Sequence, residues 1–493
     1  MAAPSSPSPT SPEGSEAAGD NLAKRAASST VWTAGGYGLS QVLRLGGNVA
    51  LADLLFEEAF GVMLLVQLLL QGLTMFSDVG IGPSVVRSGR GDDPAFLNSA
   101  WSMQILRGVV LVLVAFVAAP FYADFYDNPD IVPFLWVASL SALFQGFNST
   151  KLFLAERHLA LKRKVLCEVI SQSLAIATMV TWAWIDPTIW ALVIGGVVQA
   201  VSLMGLSHLL LPGQRNRFAW ERPAVVEIWS FGRWIFVSTA MTFLAMQVDR
   251  MMLGKLLDEG PLGVFSIALG IATIPQIVGG QLTNSIQYPL LSSIQRDNPA
   301  ELGDRFRSQR VTLLLAAGFG LLGIALFSPA FFALLYGAEY QDAGWIAPLV
   351  MVPTWFLLLQ LTADRVLLAK GESQPLTVSN FWAFVGKFAG GWFGFRIGGF
   401  AGLILGTTVG TLIGHGVIVA QLRRHGLRLL DQDLRATLGV AALASLGTLA
   451  QRQLSADMEG SRWLLVHIGI ASATVAPVFA ALALRIRKRG ITG

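Results

Sequence analysis

Fourteen apolar runs, most of about the twenty residues that a helix needs to cross a bilayer, recur along the chain. They lie at roughly 30–54, 60–85, 97–120, 132–155, 165–185, 188–211, 228–254, 261–289, 311–336, 345–369, 376–396, 399–422, 436–451 and 463–485. The thirteenth is the shortest and is built mainly of Ala, Gly and Leu. Only 13% of the residues are charged and 53% are hydrophobic, whereas a soluble domain carries about 25% charged residues. The expected fold is therefore an all-α polytopic membrane protein of about fourteen transmembrane helices.

Loop charge sets an expected orientation. With the N-terminus in the cytoplasm, the inner segments hold 24 Lys and Arg and the outer loops hold four: Lys255, Arg396, Arg452 and Arg462. One missed helix would invert every later loop, so the bias supports the span assignment and places both termini inside. The outer loops instead collect acids, among them Glu57, Glu58, Asp127, Asp130 and Glu339.

An internal repeat divides the chain. LADLLFEEAFGV (Leu51 to Val62) aligns without gaps on LGKLLDEGPLGV (Leu253 to Val264), with Glu57 on Glu259 and Gly61 on Gly263. KLFLAE (Lys151 to Glu156) matches RVLLAK (Arg365 to Lys370). The expected organisation is a Pro/Ser-rich disordered cytoplasmic tail (1–27), a first six-helix lobe (28–211) and a basic linker (212–227). A second six-helix lobe (228–425) and two additional helices with a basic tail (426–493) follow. Paired halves of this kind place a substrate site between them.

Several function classes fall away. The net charge of +4 is dispersed between apolar runs, not gathered on the contiguous basic face that nucleic acid needs. Cys167 is alone, and the five histidines (His158, His208, His415, His425, His467) lack metal-ligand spacing. No metal or cofactor is expected. Asp92-Asp93 reads as a solvated turn, and Gly80 with Gly82 is only a lone GxG. No soluble domain is present to house a glycosyltransferase, so catalysis is not expected.

Seven basic residues lie within the spans: Arg44, Arg107, Lys151, Arg233, Arg250, Arg365 and Lys387. Charge at membrane depth is costly and faces a bundle interior or a wet cavity. Tyr37, Gln41, Arg44 and Asn48 follow the i, i+4, i+7, i+11 spacing of one helix face, as do Gln67, Gln71, Thr74 and Asp78. Gln145, Asn148 and Lys151 approximate a third stripe, and Asn380 with Lys387 a fourth. An isolated Gln or Asn in a membrane helix ordinarily just bonds a neighbouring helix. Arg44, Arg107 and Lys387 stand near mid-span, where snorkelling to an interface is hardest, and are candidate ligand contacts with Gln41 and Asn48. Lys151, Arg233 and Arg365 stand near inner ends, where anchoring competes with ligand binding. Asp249 and Arg250, near an outer end, are candidate gate residues; Asp78 and Asp364 are candidate counter-charges. Net positive charge selects an anionic ligand, and the planar arginine fork suits phosphate.

LADLLFEEAFGVM followed by MFSDVGIGPSVV (Met75 to Val86) resembles the opening of Wzx-type polysaccharide flippases, within the multidrug/oligosaccharidyl-lipid/polysaccharide exporter superfamily. SIQYPLLSSIQRD (Ser285 to Asp297) and LLYGAEYQDA (Leu334 to Ala343) look like the second half of the same family. The resemblance implies a V-shaped pair of bundles around a central cavity and alternating access in a bacterial inner membrane. It implies an undecaprenyl-pyrophosphate-linked oligosaccharide as cargo, for exopolysaccharide, capsule or lipopolysaccharide, with polysaccharide polymerase machinery as a further partner. It also implies arginines in the cavity. Arg44 matches that role by helix and depth, and Arg107 and Lys387 by cavity position. The competing expectation is a cation-coupled multidrug or small-molecule exporter of the same superfamily, which would place acids in its first-half cavity.

Overall fold

The computed structural model describes residues 32, 35–77, 80–455, 458 and 460–490, without the side chains of 230–238, 285 and 488–490. The expected tail and Asp78 lie outside the described residues, as does the side chain of Arg233. Among the described residues there is no strand. The helices are α1 (35–52), α2 (Glu57–Phe76), α3 (Ile81–Arg87), α4 (Pro94–Phe125), α5 (Ile131–Gly146), α6 (Lys151–Arg157), α7 (Leu161–Ile185) and α8 (Trp190–Leu209). They continue as α9 (Arg222–Leu256), α10 (Glu259–Ala272), α11 (Ile274–Leu282), α12 (Tyr288–Asp297), α13 (Leu302–Leu335), α14 (Ala343–Ala369), α15 (Gln374–Arg424), α16 (Leu430–Ser455) and α17 (Gly460–Gly490). Each of the fourteen expected runs coincides with a helix, a broken helix or one arm of a folded one. By length and apolarity nine of the described helices can cross a membrane, or ten if α5 and α6 form one span bent by 60°. The chain is an all-α polytopic membrane protein.

The breaks have local causes. Gly80, at φ +64°, separates α2 from α3, a backbone region that L side chains avoid. In α15, Gly398 and Gly399 leave helical geometry, Gly399 with φ +56°, and the helix folds back on itself. Glycines at i, i+4 and i+8 line both arms: Gly386, Gly390 and Gly394 face Gly410, Gly406 and Gly402. A Cβ at any of the six would collide with backbone of the opposite arm. Small residues let the backbones of two membrane helices touch, and dispersion then holds them in a medium that gives no hydrophobic drive.

The first-half helices pack α4 on α5, α5 on α8 and α7 on α8; in the second half α14 packs on α10, α13 and α15. The two sets meet along α2, which lies against both α9 and α10. Their common core joins Leu51, Val62 and Leu65 to Leu253, Leu262 and Phe265, all nearly inaccessible to solvent. At one end the junction is sealed. The Tyr340 hydroxyl donates to the Leu55 carbonyl at 3.1 Å and its ring meets Phe60 edge-on at 6.0 Å. Asn128 donates to Glu259, and Lys255 pairs with Asp127, both across the two halves.

One buried charge cluster escaped the sequence reading. Arg310, counted there as a loop residue, is fully buried in α13. Its Nη1 lies 2.5 Å from Asp433 of α16, and its Nε and Nη2 donate to the Thr362 hydroxyl and the Leu359 carbonyl of α14. His415 of α15 completes the cluster, its Nε2 2.9 Å from the other Asp433 oxygen. The charges are thus paired and hydrogen-bonded, the condition for tolerating them in an interior, and they fasten α16 to the bundle.

Candidate functional site: a cationic central cavity

A cavity of about 600 Å³ lies between the two halves, walled by α1, α2, α7, α8, α9 and α10. The whole α1 stripe faces it: Tyr37, Gln41, Arg44 and Asn48, each about one helical turn from the next. Close packing of α1 on α7 aims that stripe. Gly47 leaves just enough room for Ile176, and the Gln172 side chain donates to the Ser40 carbonyl at 2.9 Å while accepting from the Ser40 hydroxyl.

Among the described residues, two cations line the cavity and no Asp or Glu does. Arg44 holds its Nε and Nη2 buried without a protein hydrogen bond. Arg250 donates through Nη1 to Gln247 at 2.7 Å, while its Nε is buried and makes none. Gln247 in turn donates to Gln71 at 2.7 Å, linking α9 to α2. Gln67, Gln199, Ser266 and Thr273 add neutral polar lining. A guanidinium whose buried nitrogens no protein group satisfies is held ready for an anionic oxygen, since hydrogen bonds between charged partners are the strong ones.

The other residues singled out from sequence are distributed elsewhere. Arg107 lines a separate recess of about 290 Å³ with Gln145 and Asn148. It donates to the Thr74 carbonyl at 2.7 Å and the Ser77 hydroxyl at 3.0 Å, capping the C-terminus of α2. Lys387 and Asp249 line a smaller cavity of about 110 Å³, whose wall Arg250 shares with the central one. Lys387 donates to the Ala245 carbonyl at 2.8 Å, and one Asp249 oxygen is buried without a hydrogen bond. Asp364 and Arg365 lie 3.4 Å apart as an ion pair on α14, outside both cavities. Lys151, carried past the 60° bend between α5 and α6, faces a fourth recess. Asp92 binds Arg157 and His158, and Asp93 caps α4 by accepting from the Ala95 amide.

Gln172, Gln199 and Gln247 were not among the residues singled out from sequence; Gln172 and Gln247 meet Ser40 and Gln71 on other helices, contacts that spacing along one helix does not show. Sequence reasoning also separated Arg250 from Arg44, assigning Arg250 to a gate.

The family model described as polysaccharide biosynthesis protein matches residues 50–344, more than half of the chain. The chain belongs to that family. The resemblance read from Leu51 to Met63 and Met75 to Val86 is thereby borne out. The chain is similar to the lipopolysaccharide biosynthesis protein WzxC of Escherichia coli (strain K12), 20% identical over 408 residues, 81% of this chain and 82% of that protein. It is also similar to the teichuronic acid biosynthesis protein TuaB of Bacillus subtilis (strain 168), 20% identical over 298 residues, and here the match spans 60% of this chain and 61% of that protein's length. Among solved structures, the lipid II flippase MurJ in an inward closed conformation superposes with a TM-score of 0.67 at 14% identity, covering 94% of this chain and 100% of that one. At that identity the likeness establishes a shared fold.

Proposed function

We propose that this member of the polysaccharide biosynthesis family is a transporter, not a catalyst. Its cargo is a polyprenyl-diphosphate-linked oligosaccharide repeat unit, flipped from the cytoplasmic to the outer leaflet of a bacterial inner membrane. The observation that carries this reading is the presence of Arg44 and Arg250 in a central cavity that, among the described residues, no carboxylate lines. Two arginines with free donors match a diphosphate bridge, and the neutral Gln, Asn and Ser lining suits sugar hydroxyls. A cation-coupled exporter would need an acid on the first-half wall, where this protein has Arg44.

Transport proceeds by alternating access. The end sealed at Tyr340 and Glu259 faces outward, both termini lie in the cytoplasm and the loop bias supports that orientation. The first-half helices move against the second half along α2, α9 and α10. Polysaccharide polymerase machinery at the outer face is the consumer expected for the exported unit, in exopolysaccharide, capsule or lipopolysaccharide assembly.

Export in a flippase-null strain, with abundance measured in parallel, tests the reading. Arg44→Ala and Arg250→Ala should stop polymer export and accumulate lipid-linked intermediate inside. Normal export by both variants at matched abundance would refute phosphate recognition in this cavity.

A further inference from the structure

Lys151 poses a question that the transport cavity does not answer. It is buried, 6% exposed, yet shares no cavity with Arg44. Its repeat-equivalent Arg365 has Asp364 beside it. Among the described residues, the acceptor for Lys151 is instead a single carbonyl, that of His208 at 3.1 Å. An ammonium carries three donors, so a buried one with one neutral acceptor still lacks a counter-charge.

The recess it faces supplies the rest of a site. Its volume is about 520 Å³, and it is walled by α6, the start of α7 and the segment after α8. Lys162 and Arg163 line it with Lys151, and among the described residues no carboxylate does. Lys162 stands over the Trp32 ring, 4.9 Å from the centroid. Arg163 reaches the Leu210 carbonyl at 3.3 Å. His158, also in the wall, is already engaged by Asp92 at 2.7 Å. The remaining wall is apolar, with Leu211 and Pro212. Close by along the chain, Leu209 is 82% exposed and Leu166 39% exposed. Basic recesses between membrane helices, open to lipid on one side, take phosphate-bearing headgroups.

We propose that this recess is a second anion site, distinct from the transport cavity, that binds the phosphate of an anionic ligand through Lys151, Lys162 and Arg163. A lipid headgroup or a free phosphate supplies that chemistry. On the orientation proposed above the recess opens to the cytoplasmic leaflet; the site itself does not depend on what the central cavity carries.

Thermal unfolding of the full chain in detergent, titrated with dioctanoyl phosphatidylglycerol, dioctanoyl phosphatidylcholine or inorganic phosphate, tests it. The phosphoglycerol lipid should stabilise the wild type saturably, and the zwitterionic lipid should not. Lys162→Ala with Arg163→Ala, both exposed and tolerant of change, should raise the half-saturating concentration by about tenfold. Lys151→Met, which keeps the packing of the stem, should do the same if it folds, and the surface pair decides the matter if it does not. Arg44→Ala should titrate as wild type. A phosphate response as tight as the lipid response assigns the free ion as the source, and a tighter lipid response assigns the headgroup. Equal stabilisation by both lipids, no loss in the double variant, or an equal loss in Arg44→Ala would overturn the second site.

Discussion

Gly61 and Gly263, equivalent positions of the internal repeat, lie against one another at the sealed end of the bundle. A Cβ on Gly61 would collide with the Glu259 carbonyl, and a Cβ on Gly263 with the Glu57 carbonyl. Glu57 and Glu259 are themselves equivalent in the repeat. The contact is therefore reciprocal, as it must be where a local two-fold axis passes between like elements. Helices α2 and α10 approach here as closely as their backbones allow.

The first prediction concerns that contact. Gly61→Val should prevent closure of this end and stop export, whereas Gly46→Ala, with open space around its Cβ, should export normally. Closure can also be trapped. The Cβ of Gly260 would stand 3.4 Å from the Glu57 side chain, within reach of a disulfide. Glu57→Cys with Gly260→Cys, in a Cys167→Ala background, should cross-link, block export and recover on reduction. Full export by the oxidised, cross-linked protein would show that this end need not open.

Arg44 and Arg310 should respond oppositely to removal. Arg44→Ala deletes a guanidinium with two unsatisfied buried nitrogens, so abundance and unfolding temperature should be unchanged while export is lost. Arg44→Lys should keep partial export, because charge survives and the bidentate fork does not. A drop in abundance matching the drop in export would reassign Arg44 to a structural role.

Arg310→Ala strands Asp433 and His415 without their cation. Breaking a buried pair from one side costs about 3–5 kcal/mol, so thermal unfolding should move down markedly and abundance should fall. Replacing Arg310 and Asp433 together by Met and Leu should be milder than Arg310→Ala alone, since no uncompensated charge remains. A double variant as unstable as the single one would count against the pairing.

Orientation is checked by reporter fusions. Fusions after residues 128 and 340 should read external and those after 160 and 300 internal, following the distribution of Lys and Arg between loops. Two or more reversed signals would invert the assignment of the sealed end to the outer face.

What the sequence determined by itself was everything governed by the bilayer and by helical periodicity. Lipid demands long apolar helices, so the apolar runs could be read without coordinates, including the division of α15 near Gly398 and Gly399, whereas the breaks at Gly80 and between α5 and α6 fell inside single expected runs. The α1 stripe was legible because Tyr37, Gln41, Arg44 and Asn48 lie on one continuous helix whose face follows from spacing alone. The repeat showed that Gly61 and Gly263 correspond, but not that they touch. Tertiary structure decided what depends on neighbours distant in sequence. Arg107 and Arg44 look alike as mid-span arginines, yet one finds the carbonyl end of α2 and the other an open cavity. Lys151 and Arg365 occupy matching positions, yet a 60° bend precedes the first while α14 continues unbroken through the second. Arg310 looked like a loop residue because Asp433, which neutralises it, lies 123 residues further on. A charge in a membrane protein is assigned its role by the partner it meets, and that partner is set by packing between helices, which spacing along any one helix does not encode.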